Sequence, residues 1–332
     1  MMEDYSMEAV ISNSLIETNM EIMRKSFSME GNEVRALGSI ICASQGLSPN
    51  AEKLNECKKI LKDEFGMLSV YRGYLQTLLI LKMSLSDDPK GYLKAITDTF
   101  EKLKTNSKTG NDFRLLGAVI LYDNTTEGNR DEACARTLEI YEKMQRDYSS
   151  FTDRSGMPIA AIMAIQNRDI DKMLEDTGKC YEILRKNKKF EKNDLITVSH
   201  ILSMNDASPE EKCEKFLKLH QLFKDNKMKL SYSHVTILAV LANSGMDINE
   251  ILKQTSENDE KLKKIKGFHG IAGMDSMSRR VLAASITALN NSDEATLVEG
   301  MLMSTVISVV MAIEILIMIL VIASTTAAVA NS

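Results

Sequence analysis

Apolar positions in this chain recur in blocks of about forty residues, each a short greasy stretch followed by a longer striped one. The striped stretches end in similar phrases whose apolar anchors are Leu61, Leu103, Met144, Leu184, Phe223 and Leu262. Successive anchors lie about 42, 41, 40, 39 and 39 residues apart, the spacing of two-helix repeats. A helix brings residues three, seven and ten apart onto one face. Ten before the anchors stand Ala51, Leu93, Cys134, Leu174, Cys213 and Leu252, and seven before stand Leu54, Ile96, Thr137, Thr177, Phe216 and Thr255. Three before come Lys58, Phe100, Tyr141, Tyr181, His220 and Asp259. The preceding apolar segments, 34–43, 72–83, 114–122, 158–165, 195–204 and 233–242, predict a first helix in each unit. The striped segment predicts the second.

The helix signals agree with this division. Proline has a preset φ and no N–H, so it suits a first helical turn. Ser48-Pro49, Asp88-Pro89 and Ser208-Pro209 each offer a capping side chain before a second helix, and Ser208 with Glu211 forms a capping box. Pro158 opens a first helix. Asn106, Asn187 and Asn226, with Gly66 and Gly110 nearby, supply residues that tolerate a left-handed stop. No sustained alternation appears, so sheet is not expected.

The expected fold is therefore all-α: stacked two-helix repeats of about 40 residues in a solenoid-like superhelix, ending in a hydrophobic helix. Residues 1–28 form an N-terminal capping helix in this reading. Residues 29–293 hold six hairpins and the first helix of a seventh, and 294–332 form the hydrophobic C-terminal helix and small-residue tail. A stack lengthens without enlarging its core, so 332 residues predict one elongated body.

Composition narrows the chemistry more than it identifies it. A formal charge of −5 without aromatic-interleaved basic runs argues against nucleic acid as a partner. The 21 methionines suit irregular helix packing. Cys42, Cys57, Cys134, Cys180 and Cys213 show neither CxxC nor zinc spacing, and four share repeat-equivalent positions, which predicts small core residues without disulfides. The acidic start Met-Met-Glu-Asp-Tyr lacks a secretory signal, so a cytoplasmic location is expected. Phosphate loops, HExxH and nucleophile elbows are missing from the sequence. No catalytic residue, cofactor, metal or small-molecule ligand is assigned; Asp87-Asp88 reads as a helix cap and His220 as a packed aromatic substitute.

Several residues stay as surface or groove candidates. His200 in Ser199-His200-Ile201-Leu202 lies on a first helix, and an enzyme site around Arg72 and His200 is one alternative. Lys186-Asn-Lys188-Lys189 and Lys261-Leu-Lys263-Lys264-Ile-Lys266 lie at the C-terminal ends of second helices, where cations meet the helix dipole, and Arg279-Arg280 add to the basic character. On one edge they would form a basic rim for acidic partners or lipid headgroups.

The last unit departs from the pattern. Residues 279–293 repeat the first-helix phrase, but 301–323 follow with Glu314 as the single charge. Thirteen Leu, Ile and Val at roughly −0.3 to −0.6 kcal/mol each outweigh one central carboxylate at roughly +3, so bilayer entry is energetically feasible. No Lys or Arg follows residue 280 to anchor such a span. Burial against the stack or in an oligomer therefore stands beside a membrane anchor, with Ile313, Glu314, Leu316 and Leu320 as candidate contacts. A protein partner or self-association is the expected use of the whole.

Ser69-Val-Tyr-Arg72-Gly73, Phe151-Thr-Asp153 with Pro158-Ile-Ala-Ala161, and Ser199-His-Ile-Leu-Ser203 together resemble the bacterial family catalogued as domain of unknown function 4003. The resemblance spans nearly the whole chain and implies a cytoplasmic helical protein without assigned catalytic residues. Asp153-Arg-Ser-Gly-Met157 is less acidic, and the tail more apolar, than the family pattern.

Overall fold

The computed structural model describes residues 11–73, 75–105, 111–148, 156–166, 168–187, 190, 192–230, 235–270 and 273–291. Among these residues the chain is all-helical, with fourteen α-helices, one 3-10 turn at Val70–Arg72 and no strand. The helices are α1 (Asn13–Ser26), α2 (Asn32–Ser44), α3 (Ala51–Glu64), α4 (Gln76–Leu85), α5 (Pro89–Lys102), α6 (Asn111–Asn124) and α7 (Arg130–Tyr148). They continue with α8 (Gly156–Ile165), α9 (Ile170–Leu184), α10 (Lys192–Leu202), α11 (Pro209–Asp225), α12 (Thr236–Asn243), α13 (Ile248–Leu262) and α14 (Ser276–Asn290). The segment 301–323 lies outside the described residues, and no described helix is long and apolar enough to cross a membrane.

Capping chemistry sets many of the starts. Asp88 accepts from the Gly91 N–H at 3.0 Å, with Pro89 in the first helical position. Ser208 and Glu211 close the capping box: Glu211 N–H donates to Ser208 Oγ, and Glu211 Oε2 accepts from the Ser208 N–H at 3.0 Å. Two predicted signals shift. Asn50, not Ser48, caps α3 by accepting from the Lys53 N–H at 3.0 Å, which places Pro49 ahead of the helix. After α11 the left-handed residue is Lys227, at φ 61°, while Asn226 sits at φ −93°. The Met228 N–H then reaches back to the Phe223 carbonyl, closing the helix end.

The stripe on the odd-numbered helices is real and wider than predicted. All six anchors are buried, as are all six residues seven before them. Further core positions fall four and eleven before the anchor, as in Cys180 and Met173 of α9 or Leu219 and Lys212 of α11. Multiples of 3.6 land near 4, 7 and 11, and the face is wide enough that Leu93, Cys134 and Cys213 at ten before, and Phe100, Tyr141 and Asp259 at three before, are buried as well. The other six lie at its margin: Ala51 is exposed, and Lys58, Leu174, Tyr181, His220 and Leu252 are half-buried.

Each odd-numbered helix packs against the even-numbered helix that follows it, from α1 on α2 to α13 on α14. The even-numbered helices then pack side by side: α2 on α4, α6 on α8, α8 on α10, α10 on α12 and α12 on α14. The 3-10 turn bridges α4 and α6. Finally α14 packs on α2.

That last contact overturns the expectation of an elongated body. The two ends of the described chain meet: the Ile11 N–H donates to Asn290 Oδ1 at 2.9 Å, and Arg24 Nη2 donates to the Lys266 carbonyl at 2.6 Å. Gly267, at φ 96°, lets the chain run against Met20, Arg24 and Asn32, where a Cβ would meet Met20 Cε at 2.9 Å. The helices therefore close into a circuit with the even-numbered members inside.

Polar ties on the two edges hold neighbouring hairpins in register. Where even helices lead into odd ones, Lys53 Nζ donates to the Ser86 carbonyl, Arg168 Nη1 to Ser203 and Asn243 Nδ2 to Ile201. On the edge where odd helices lead into even ones, Lys58 Nζ donates to the Ser26 carbonyl and lies 4.3 Å above the Phe27 ring. There too Arg280 Nη1 donates to the Lys229 carbonyl at 3.1 Å.

Candidate functional site

The inside of the circuit is filled with side chains. All of α8 from Gly156 to Ala164 is buried, and so is all of α12 from Thr236 to Ala242. On the neighbouring inner helices α10 and α14, small hydroxyls bond their own backbone: Ser199 Oγ donates to the Leu195 carbonyl, Ser203 Oγ, just past α10, to His200 and Ser285 Oγ to Val281. This is how a helix buries a hydroxyl without an outside partner.

His200 sits in that interior at 2% exposure, which corrects its expected place on a groove. Its Nδ1 lies 3.3 Å from the Thr177 hydroxyl of α9. Burial pushes its pKa down to about 3, because a charged imidazole loses its hydration there. At neutral pH the ring is uncharged and shielded from solvent. Arg72 is half-buried and donates through Nη1 to the Phe65 carbonyl at 3.2 Å, securing the end of α3. The adjacent Tyr71 stacks on Phe65 and meets Phe100 edge-on. Arg72 belongs to a turn packed on α3, α4 and α6, whereas His200 belongs to a helix packed on α8, α9, α11 and α12. The structure does not unite them in one site.

The C-terminal candidates do come together. Arg279 is buried, not exposed as expected: its Nε donates to Asp259 Oδ1 at 2.8 Å and its Nη1 to the Phe268 carbonyl at 3.1 Å. Lys263 spans Asp259, at 3.6 Å, and Glu260. Lys264 is exposed on the same turn, and Arg280 reaches Lys229 from the start of α14. This cluster binds the end of α13, the following turn and α14 into one unit. Ile313, Glu314, Leu316 and Leu320 lie outside the described residues.

A second buried pair joins α9 and α11, where Lys212 Nζ lies 3.1 Å from Asp176 Oδ2. Sequence reading passed over both Asp176 and Lys212. Its signal was a lysine eleven before an anchor, on the very face that buries apolar residues in other units. Asp259 carried a similar signal, an acid where Phe100 and Tyr141 stand in earlier units.

The remaining chemistry-bearing groups have structural surroundings. All five cysteines are buried and free. Burial pushes the Cys42 thiol up to about 12 and the Cys57 thiol up to about 11, which suppresses thiolate reactivity. The bond to Cys180 and burial hold Cys213 well above its ordinary value. His220 meets Phe190 edge-on at 4.8 Å between centroids. Among the described residues no group of three His, Cys, Asp or Glu is placed to hold a metal ion.

No curated protein and no solved structure matches this chain. The family described as protein of unknown function (DUF4003) matches residues 19–318, and with the helical interior just described this means that the chain belongs to that family.

Proposed function

We propose that this protein is a non-catalytic binding or scaffold module of the bacterial cytoplasm, built from stacked two-helix repeats of about forty residues. The observation that carries this reading is the use of its buried ionisable groups. Asp176 with Lys212 and Asp259 with Arg279 join one helix to another, and His200 is held neutral beside Thr177. The solvent-facing sides of the odd-numbered helices are left as a broad polar surface for a protein partner. The proposed partition keeps 1–28 as a cap, 29–293 as the stack and 294–332 as an apolar tail.

Affinity capture followed by cross-linking tests the proposal, comparing the full chain with one ending at Asp293. Cross-links from a captured partner to α3, α7, α9 or α11 in both chains support it. Partners that vanish with the tail, or cross-links confined to the tail, overturn it. The second reading, a membrane-tethered adaptor, is favoured by the 23-residue run 301–323 with its single charge. Carbonate extraction of native membranes decides that reading: release of the full chain ends it.

A further inference from the structure

Closure of the helical circuit brings together basic and apolar residues that are far apart in sequence. Two exposed runs stand, among the described residues, on the edge where odd helices lead into even ones. From Lys224 to Lys229 three lysines stand against one aspartate, and from Lys261 to Lys266 four lysines stand against no acid. Arg280 joins these turns by donating to the Lys229 carbonyl. Arg24 then carries the basic surface across the closure onto α1 through its bond to the Lys266 carbonyl. Exposed Lys25 extends it.

The acids nearest this arc are engaged. Asp225 accepts from Gln221 Nε2 at 2.7 Å, Glu260 pairs with Lys263, and Asp275 caps α14 by accepting from the Met277 and Ser278 N–H groups. A chain of formal charge −5 thus carries a local cationic arc.

Apolar side chains project from the same edge. Met29, in the turn after α1, is 96% exposed, while Met67 and Leu68, in the turn after α3, are 79% and 100% exposed. Lys58 of α3 ties that helix to the turn after α1 through Ser26 and Phe27, so both turns lie on neighbouring hairpins. Met277 adds a partly exposed side chain at the start of α14. Isolated apolar residues on loop tips do not form a groove or a flat patch. They suit a soft partner into which single side chains can sink while flanking lysines meet phosphate.

The geometry points to this edge as a docking face for an anionic lipid bilayer, with Met29, Met67 and Leu68 entering the acyl boundary. The lysines of the 224–229 and 261–266 runs meet the headgroups. Apolar insertion and charge attraction act together in such binding, and each lysine near an anionic surface contributes about a fivefold gain. This inference goes beyond the protein-binding reading and does not depend on it, because that reading uses the sides of the odd helices.

The test is co-sedimentation of the full chain with vesicles of phosphatidylglycerol in phosphatidylcholine, beside vesicles of phosphatidylcholine alone. Wild type is expected to prefer the anionic vesicles and to lose that preference at high salt. Replacing Lys227, Lys264 and Lys266 together by Glu should weaken anionic binding more than about tenfold. Met67→Ser with Leu68→Ser should weaken it severalfold. All five side chains are exposed, so both variants should keep the wild-type urea midpoint. Equal binding to neutral and anionic vesicles would assign attachment to 301–323 and overturn the inference. So would wild-type binding by the lysine variant. Loss in the lysine variant with full binding by the Ser variant would mean that any polyanion suffices, which sinks the bilayer assignment.

Discussion

Helices α8 and α9 are neighbours in sequence, yet they solve opposite burial problems. Every residue of α8 from Gly156 to Ala164 is shut away from water, and none carries a charge. Helix α9 buries Met173, Asp176, Thr177, Cys180 and Leu184, flanks them with the half-buried Ile170, Leu174, Tyr181 and Ile183, and turns charged residues such as Asp171, Lys172, Glu175 and Lys179 outward. The difference shows that layer, not helix propensity, governs what each position tolerates. A helix surrounded by others must be apolar or self-bonded on all sides, whereas an outer helix needs only one stripe. Even the outer stripe accepts ions where a neighbour supplies the counter-charge, as Asp176 finds in Lys212.

The severest way to break this comparison is a charge inside the inner layer. Ile162→Asp on α8 should cost more than about 4 kcal/mol in urea unfolding and leave little folded protein, because the carboxylate would have neither water nor partner. Arg279→Met should cost about 3 kcal/mol by leaving the buried Asp259 with only the longer pair to Lys263. Adding Asp259→Leu should restore much of that loss, and failure to do so would show that Arg279 matters chiefly through Phe268.

The pH dependence sharpens the comparison from within. His200 has its folded pKa pushed below the ordinary value of 6.5 to about 3. Between these values the unfolded chain takes up a proton that the folded chain refuses, so stability falls as pH falls. The contribution is about 1.4 kcal/mol per pH unit, complete above pH 6.5 and lost as pH approaches 3. His200→Asn should remove it, which is read as a shallower dependence of the urea midpoint on pH than in wild type.

Smaller effects belong to the outer layer. Ser208→Ala should cost about 1 kcal/mol through loss of the α11 cap. Lys172→Asp, on the exposed side of α9, should leave the urea midpoint unmoved. A large effect there would mean that the exposed face is covered in solution.

Much of the helical layout was legible because proline, capping residues and 3.6-residue periodicity act locally. Predicted segments such as 158–165 and 195–204 fall within or within two residues of α8 and α10. The positions four and eleven before each anchor were not singled out because spacings of three and four both fit short runs. Burial of the six anchors followed from the same local rule. The candidate sites were less legible: His200 and Arg279 looked like surface groups because polarity alone does not reveal a partner across another helix. Arg279 finds Asp259 twenty residues away, and Lys212 finds Asp176 thirty-six away.

The sequence by itself determined an all-helical chain, the approximate place of its described helices and the apolar character of the inner ones, since those depend on neighbours within a few turns. Only the tertiary structure decided that α14 meets α2, that Arg279 and His200 lie inside, and that Lys266 stands beside Arg24. These outcomes depend on the small rotation from each hairpin to the next. That rotation is set by packing between elements and leaves no periodic mark on the chain.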